Sequence, residues 1–219
     1  MKTEPVFLRA LEMADLDRTL RWHNDPVLYE TLGGAFRPVS RAVEREWLRR
    51  KRAPTAQEIN LAVCAAKGRR HVGNIYLRNL DWVARHGELH LFIGDRSDRG
   101  KGYGRSAVRQ MADLAFRTLG LRRLYLRVLA DNAAAIKTYE KCGFVVEGRL
   151  RRHAFKGGRF KDMLVMGLCA PPERQGDGRR TAGRHAGPPI RHPLANAARG
   201  TRSGGPACRG PKCEEGESR

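Results

Sequence analysis

The middle of the chain places a strand pattern, a glycine-rich turn and an amphipathic helix directly one after another. Residues 88–93 read as a strand that places Glu88, His90 and Phe92 on one face, and residues 102–119 repeat apolar side chains at helical spacing. The turn holds Gly100, Gly102 and Gly104, and glycine lets a backbone approach a ligand closely. The first amides of the helix, which have no partner within the helix, add a favourable place for an anion. This segment therefore predicts a binding site for a pyrophosphate group.

Three basic side chains, Arg99, Lys101 and Arg105, add positive charge to the same turn. The spacing does not match two well-known phosphate-binding motifs. A dinucleotide-binding fingerprint, Gly-x-Gly-x-x-Gly, lies near the first strand, whereas this turn lies in the middle of the chain and lacks the third glycine at that spacing. A Walker A loop needs Ser or Thr after Gly-Lys, but Gly102 follows Gly100-Lys101. On spacing alone, an ordinary glycine-rich loop stays an alternative to the pyrophosphate site.

Strand and helix patterns alternate on both sides of this turn, which predicts an α/β domain with parallel pairing near its centre. Ser40 is the predicted N-cap of one helix, which extends to residue 50. The other predicted helices cover 14–22, 25–31, 102–119 and 132–141, and the predicted strands cover 6–9, 60–66, 72–77, 88–93, 124–128, 144–148 and 163–168.

The composition changes after Cys169. Residues 170–219 hold seven of the 11 prolines and nine of the 24 glycines, and Ile190 and Leu194 are their only large aliphatic side chains. Such a segment buries too little apolar surface to offset its ordering entropy, so we predict a disordered, basic tail over 170–219. The folded domain is expected to cover 1–169.

The formal net charge is +20, from 43 basic and 23 acidic residues. The arginines are spread along the whole chain, so we do not expect nucleic acid as the primary target. No apolar run approaches the about 20 residues that span a bilayer, and the first residues are not a secretory signal, so no membrane association is expected. The five cysteines are irregularly spaced, which predicts free thiols in the cytoplasm and no metal site.

Two blocks in the second half of the domain resemble the GNAT superfamily of N-acetyltransferases. They are Arg99-x-x-Gly102-x-Gly104 and Asn132-x-x-Ala135-Ile136-x-x-Tyr139-x-Lys141-x-Gly143-Phe144. The resemblance covers residues 5–169. Within this superfamily, the chain resembles the branch of ribosomal-protein N-terminal and spermidine acetyltransferases at Trp22-His23-Asn24-Asp25-Pro26, Glu147-Gly148 and Asp162.

The resemblance implies a mixed, mostly antiparallel sheet flanked by helices, with a parallel strand pair that splays apart at the coenzyme A site. It implies acetyl-CoA as co-substrate, with the pantetheine arm beside the end of the strand 88–93 and the pyrophosphate at the glycine-rich turn. The residues assigned to acetyl-CoA in this way are Phe92, Ile93, Gly94, Arg99, Gly100, Lys101, Gly102, Tyr103, Gly104, Arg105, Ser106, Asn132 and Ile136.

The resemblance also implies direct transfer of an acetyl group to an amine. Tyr139 matches the position of the general acid that protonates the departing thiolate. The base is predicted to be Glu88, which strand alternation places on one face with His90 and Phe92. His90 and a water molecule are the alternatives for this base.

The expected acceptor is a primary amine, on a protein N-terminus or on a small molecule such as an amino sugar, an amino acid or a polyamine. The acids available for a polycation are few, namely Asp25, Glu30, Asp81 and Glu88, which favours a neutral or anionic acceptor. The alternative function is a non-catalytic acyl-CoA-binding protein with a basic RNA-binding surface. The oligomeric state is left open, with a homodimer as one option.

Overall fold

Within the described part of the chain, seven strands form one mixed sheet in the order β1-β2-β3-β4-β5-β7-β6. The computed structural model describes residues 5–172. Every neighbouring pair of strands is antiparallel except β4 and β5, which run parallel, as the resemblance implies. The strands are β1 (Val6–Ala10), β2 (Ile59–Ala65), β3 (His71–Asp81), β4 (His86–Ile93), β5 (Arg123–Leu129), β6 (Val145–Lys156) and β7 (Arg159–Cys169).

Three of the α-helices begin at a side chain that accepts a hydrogen bond from the first turn. These caps are Asp25, Ser40 and Asn132, and the Ser40 cap confirms the prediction from sequence. The α-helices of the described chain are α1 (Leu16–His23), α2 (Pro26–Tyr29), α3 (Arg41–Lys51), α4 (Tyr103–Asp113) and α5 (Ala133–Glu140). None of the helices within residues 5–172 has the length and apolar character needed to cross a membrane.

The parallel pair β4–β5 separates part of the way along its length. Its register runs only from His86 opposite Arg123 to Glu88 opposite Tyr125. Beyond that point β4 stays paired with β3 as far as Ile93, and β5 stays paired with β7 as far as Leu129. The predicted splay is therefore confirmed, and it opens a gap through the sheet beside the C-terminal half of β4.

The two faces of the sheet are covered by different helices. On one face Leu89 belongs to the larger core, together with Met111 of α4. On the other face Phe92 packs edge-on against Trp22 of α1, with ring centroids 5.8 Å apart. The predicted alternation along β4 is thus observed, and the gap connects the α4–α5 face with the α1–α3 face.

The two last predicted strands and the helix predicted over 102–119 differ from the structure. The strands predicted at 144–148 and 163–168 form a hairpin of two long strands, β6 and β7, because cross-strand hydrogen bonds continue to Lys156 opposite Arg159. The helix predicted over 102–119 is α-helical only to Asp113, and Leu114–Thr118 form a π-helical turn. The tail predicted over 170–219 lies outside the described residues from 173 onward, so the boundary at 169 stays a prediction.

Candidate active site

One cavity of about 1240 Å³ extends from the α1–α3 face, past the gap between β4 and β5, to the glycine-rich turn and α5. Ligand pockets for a single drug-sized molecule are about 300–1000 Å³. The cavity is therefore large enough for two substrates that approach the gap from opposite faces of the sheet.

The glycine-rich turn has the backbone geometry that an anion site requires. Gly100 and Gly102 have φ values of +77° and +80°, a left-handed conformation that favours glycine, and a Cβ at either position would have no heavy atom within 4 Å. Gly102 is the N-cap of α4, and the first intrahelical bond joins the amide of Ser106 to the carbonyl of Gly102. The preceding amides of the first turn thus lie at the positive end of the helix dipole, beside the open space.

The basic residues of the turn have different partners. Arg99 donates to the carbonyls of Ile93 and Gly94 at 3.3 and 3.2 Å, so it fixes the end of β4 to the turn. Lys101 lies 3.4 Å from the buried carboxylate of Asp98, which Arg70 binds through two hydrogen bonds of 2.6 Å. These contacts lower the pKa of Asp98, chiefly through the hydrogen bonds from Arg70. The ion pairs hold the loop in place and leave the positive charge next to the helix N-terminus.

Three of the residues predicted to bind acetyl-CoA do not line the cavity. A Cβ on Gly94 would lie 2.1 Å from the Trp22 ring, so this glycine makes room for the indole. Ser106 is buried in α4 and accepts a hydrogen bond from Gln110, and Ile136 packs against the larger core. The other ten all line it, namely Phe92, Ile93, Arg99, Gly100, Lys101, Gly102, Tyr103, Gly104, Arg105 and Asn132.

Tyr139 lines the cavity from α5 while its ring is packed in the larger core beside Phe144, 5.8 Å away. Burial raises the pKa of Tyr139 to about 12, so the phenol stays protonated at neutral pH. Its hydroxyl has no hydrogen-bond partner among residues 5–172. The geometry thus provides a protonated hydroxyl on the α4–α5 side of the cavity.

Glu88 lines the cavity at the last paired position before the gap, and it is only 1 % exposed. Its carboxylate accepts hydrogen bonds from Arg127 and Asn79, both at 2.8 Å, and lies 3.5 Å from His90 Nε2. Although burial alone would raise it, the contacts with His90 and Arg127 lower the pKa of Glu88 to about 2. Glu88 is therefore an ionised carboxylate that accepts a proton weakly.

Asn132 uses both ends of its side-chain amide. The carbonyl caps α5 by accepting from the amide of Ala135, and the nitrogen donates to the carbonyl of Thr31, both at 3.1 Å. The segment after α2 is also bound by Lys156, whose Nζ donates to the carbonyls of Tyr29 and Gly34. The helix that bears Tyr139 is thereby tied to the wall of the cavity on the α1–α3 side.

Sequence reasoning missed two charged residues that line the cavity, Glu44 and Arg127, and it placed Arg78 only among the basic residues around the acceptor. Glu44 is 1 % exposed and pairs with Nδ1 of His23 at 2.7 Å, so the list of acids near the acceptor was incomplete. Arg78 lies directly opposite Glu88, so the two side chains share a face of the sheet. The sequence alone does not give the β3–β4 register from which this follows. Among the residues that the structure describes, no group of three His, Cys, Asp or Glu side chains could hold a metal ion.

A family profile described as "Acetyltransferase (GNAT) domain" matches residues 6–145. A spermidine N(1)-acetyltransferase of Vibrio cholerae is 34% identical over 95 residues, which are 43% of this chain and 54% of that relative. This match thus spans about half the length of that relative. A probable N-acetyltransferase of Bacillus subtilis, YjcK, is 26% identical over 190 residues, which cover 80% of this chain and 99% of the relative.

The fold is similar to that of solved acetyltransferase structures. The crystal structure of a spermidine N-acetyltransferase from Vibrio cholerae in complex with CoA and spermine superposes with a TM-score of 0.70 and 28% identity. The superposition covers 76% of this chain and 96% of that chain. A dodecameric structure of the Vibrio cholerae enzyme superposes with a TM-score of 0.64.

Proposed function

Because the chain belongs to the GNAT family of acetyltransferases, we propose that it moves the acetyl group of acetyl-CoA onto a primary amine of a small molecule. The observation that supports this most is one cavity that joins the glycine-rich turn, the gap between β4 and β5, and Tyr139. The Vibrio cholerae structure with CoA and spermine supports a small-molecule amine as acceptor. A cytoplasmic location and a homodimer stay predictions.

The residues at the turn fit acetyl-CoA, which supplies the acetyl group as a thioester. The first-turn amides of α4 and the charges of Lys101 and Arg105 would hold the pyrophosphate. The backbone of 89–93 has no β5 partner within the described residues, so its free edge would pair with the pantetheine arm. An amide on that edge would stabilise negative charge that develops on the acetyl oxygen.

The chain's own groups provide for the two proton transfers. Tyr139 would donate a proton to the departing sulfur, since its raised pKa keeps the hydroxyl protonated. An amine with an ordinary pKa near 10 must lose a proton before it attacks. We assign this proton to His90 or to a water molecule beside it. Glu88, with a pKa of about 2, would orient that group through its negative charge.

The test is the release of coenzyme A thiol from acetyl-CoA with a panel of amines, for the wild type and Tyr139→Phe. Loss of a positioned proton donor typically slows a reaction by about 10²–10⁴-fold, so we expect a fall of that order in kcat with unchanged acetyl-CoA affinity. Tyr125→Phe is the matched control, because Tyr125 lies outside the cavity lining. Equal rates for Tyr139→Phe and wild type would contradict the role of this hydroxyl. Acetyl-CoA binding without transfer to any amine would favour the non-catalytic alternative.

A further inference from the structure

Arg78 is a cation of the cavity that lacks an acidic partner. It lies on β3 directly opposite Glu88 of β4, and it lines the cavity. Its guanidinium stacks over the Tyr76 ring, 4.8 Å from the centroid. Its Nε is buried and has no hydrogen-bond partner among residues 5–172, and no ion pair to Arg78 occurs there. Buried polar groups in folded proteins are nearly always hydrogen-bonded, so an Nε without a partner is unusual.

The acids of the acceptor chamber, which we define as the α1–α3 side of the cavity, are already paired. Glu88 binds Arg127 at 2.8 Å. Oε2 of Glu44 binds His23 at 2.7 Å, while Oε1 of Glu44 is buried without a hydrogen-bond partner among residues 5–172. Neither carboxylate approaches Arg78 within ion-pair distance in the described chain. Two arginines of this chamber, Arg37 and Arg78, have no ion pair in the described chain, and Arg78 is the one with a buried donor that an anion from outside the protein could satisfy.

We propose that Arg78 is an anion-binding subsite, and that the acceptor amine carries a carboxylate or phosphate group near its nucleophilic nitrogen. The planar fork of arginine binds both anions through paired hydrogen bonds, and stacking on Tyr76 holds the fork in one orientation. This inference rests on the proposed function and narrows its substrate class. It disfavours an acceptor with ammonium groups alone, which would place further positive charge beside Arg78.

The register explains why the anion and the amine must be close together. Parallel pairing ends at Glu88, and Arg78 is the residue opposite Glu88 on the neighbouring strand. Neighbouring strands are about 5 Å apart, and each residue advances about 3.4 Å along a strand. The guanidinium stacks over Tyr76, which pairs with His90 of β4. An anion on Arg78 would therefore lie beside the half of β4 that borders the gap, and we expect it to suit acceptors such as amino acids and phosphorylated amino sugars.

The experiment compares matched acceptors with the full chain. The carboxylate arm uses each common amino acid beside its carboxamide, and the phosphate arm uses glucosamine 6-phosphate beside glucosamine. Spermidine is measured in parallel. For wild type we expect the anionic member of at least one pair to be preferred about ten- to hundredfold in kcat/KM, as for a charged hydrogen bond. The arm that shows the preference identifies the anion.

Variants separate binding of the anion from packing. Arg78→Met should lower kcat/KM for the anionic member far more than for the neutral member and so abolish the preference, whereas Arg78→Lys should restore part of it. Arg49→Met removes an exposed arginine outside the cavity and should change neither rate. The proposal is overturned if wild type prefers the neutral members or spermidine, if no anionic acceptor is acetylated, or if Arg78→Met slows both members of a pair equally. Failure to bind acetyl-CoA would instead refute the proposed function.

Discussion

Glu88 is a buried carboxylate whose charge state is set by its neighbours. Its pKa of about 2 lies below its ordinary value of 4.5, so the folded state binds this proton more weakly than the unfolded state. Its contribution to stability is therefore complete above about pH 4.5 and is lost as the pH falls toward 2. We expect Glu88→Gln to lower the free energy of unfolding by about 2–3 kcal/mol at neutral pH, and by less as the pH falls through this window. Urea unfolding at several pH values measures the difference.

The same substitution tests which group accepts the proton. If Glu88 only orients the base, the acidic limb of the kcat/KM profile should remain in Glu88→Gln, displaced to lower pH because the negative charge that favours the protonated base is gone, and the plateau should be lower. A limb that disappears in Glu88→Gln would show that Glu88 itself accepts the proton. Asp81→Asn is a suitable control, since Asp81 is an acid outside the cavity lining.

Single residues also show what sequence can predict. Gly102 and Asn132 were predictable because their roles depend on the next few residues, a left-handed turn before α4 and a cap on α5. The pairing of Glu88 with Arg127 could not be predicted from the sequence, because the two residues are 39 positions apart and meet only through the pairing of β4 with β5. Glu44 was missed for the same reason.

At the scale of the element, the turn before α4 depends on one of its glycines more than on the other. Gly102 has a φ of +80°, which costs a residue with a Cβ about 1 kcal/mol or more, whereas Gly104 is helical and a Cβ there would meet only Leu91 at 3.4 Å and Thr138 at 4.0 Å. We expect Gly102→Ala to weaken acetyl-CoA binding about tenfold, because the first-turn amides would be reoriented. Gly104→Ala, the matched control, should bind within about twofold of wild type. Calorimetric titration with acetyl-CoA measures both, and equal losses would show that the turn conformation does not determine affinity.

The β6–β7 hairpin shows why some elements are longer than their sequence pattern predicts. β6 is rich in arginine, and most of its side chains are exposed, so it lacks the apolar alternation that marks a half-buried strand. Its length is set by hydrogen bonds to β7, which no local pattern records. The parallel pair and its splay were predictable only through the resemblance, since periodicity gives the strands but not the place where they separate.

At the scale of the whole molecule, every core residue that the structure describes lies before the predicted tail. The buried core runs from Val6 to Met166, and the last strand ends at Cys169. Removing residues 173–219 takes away ten basic and five acidic side chains but none of the described core. We expect a chain that ends at Pro172 to keep its Tm within about 2 °C and its kcat/KM for the acceptor within about twofold, because stability depends on buried area. Differential scanning calorimetry and the thiol-release assay measure these quantities.

RNA binding that weakens steeply with salt in the full chain and is absent after truncation would give the tail a role of its own. A lower Tm after truncation would show that the boundary near residue 169 is wrong, and that the tail contributes to the folded domain.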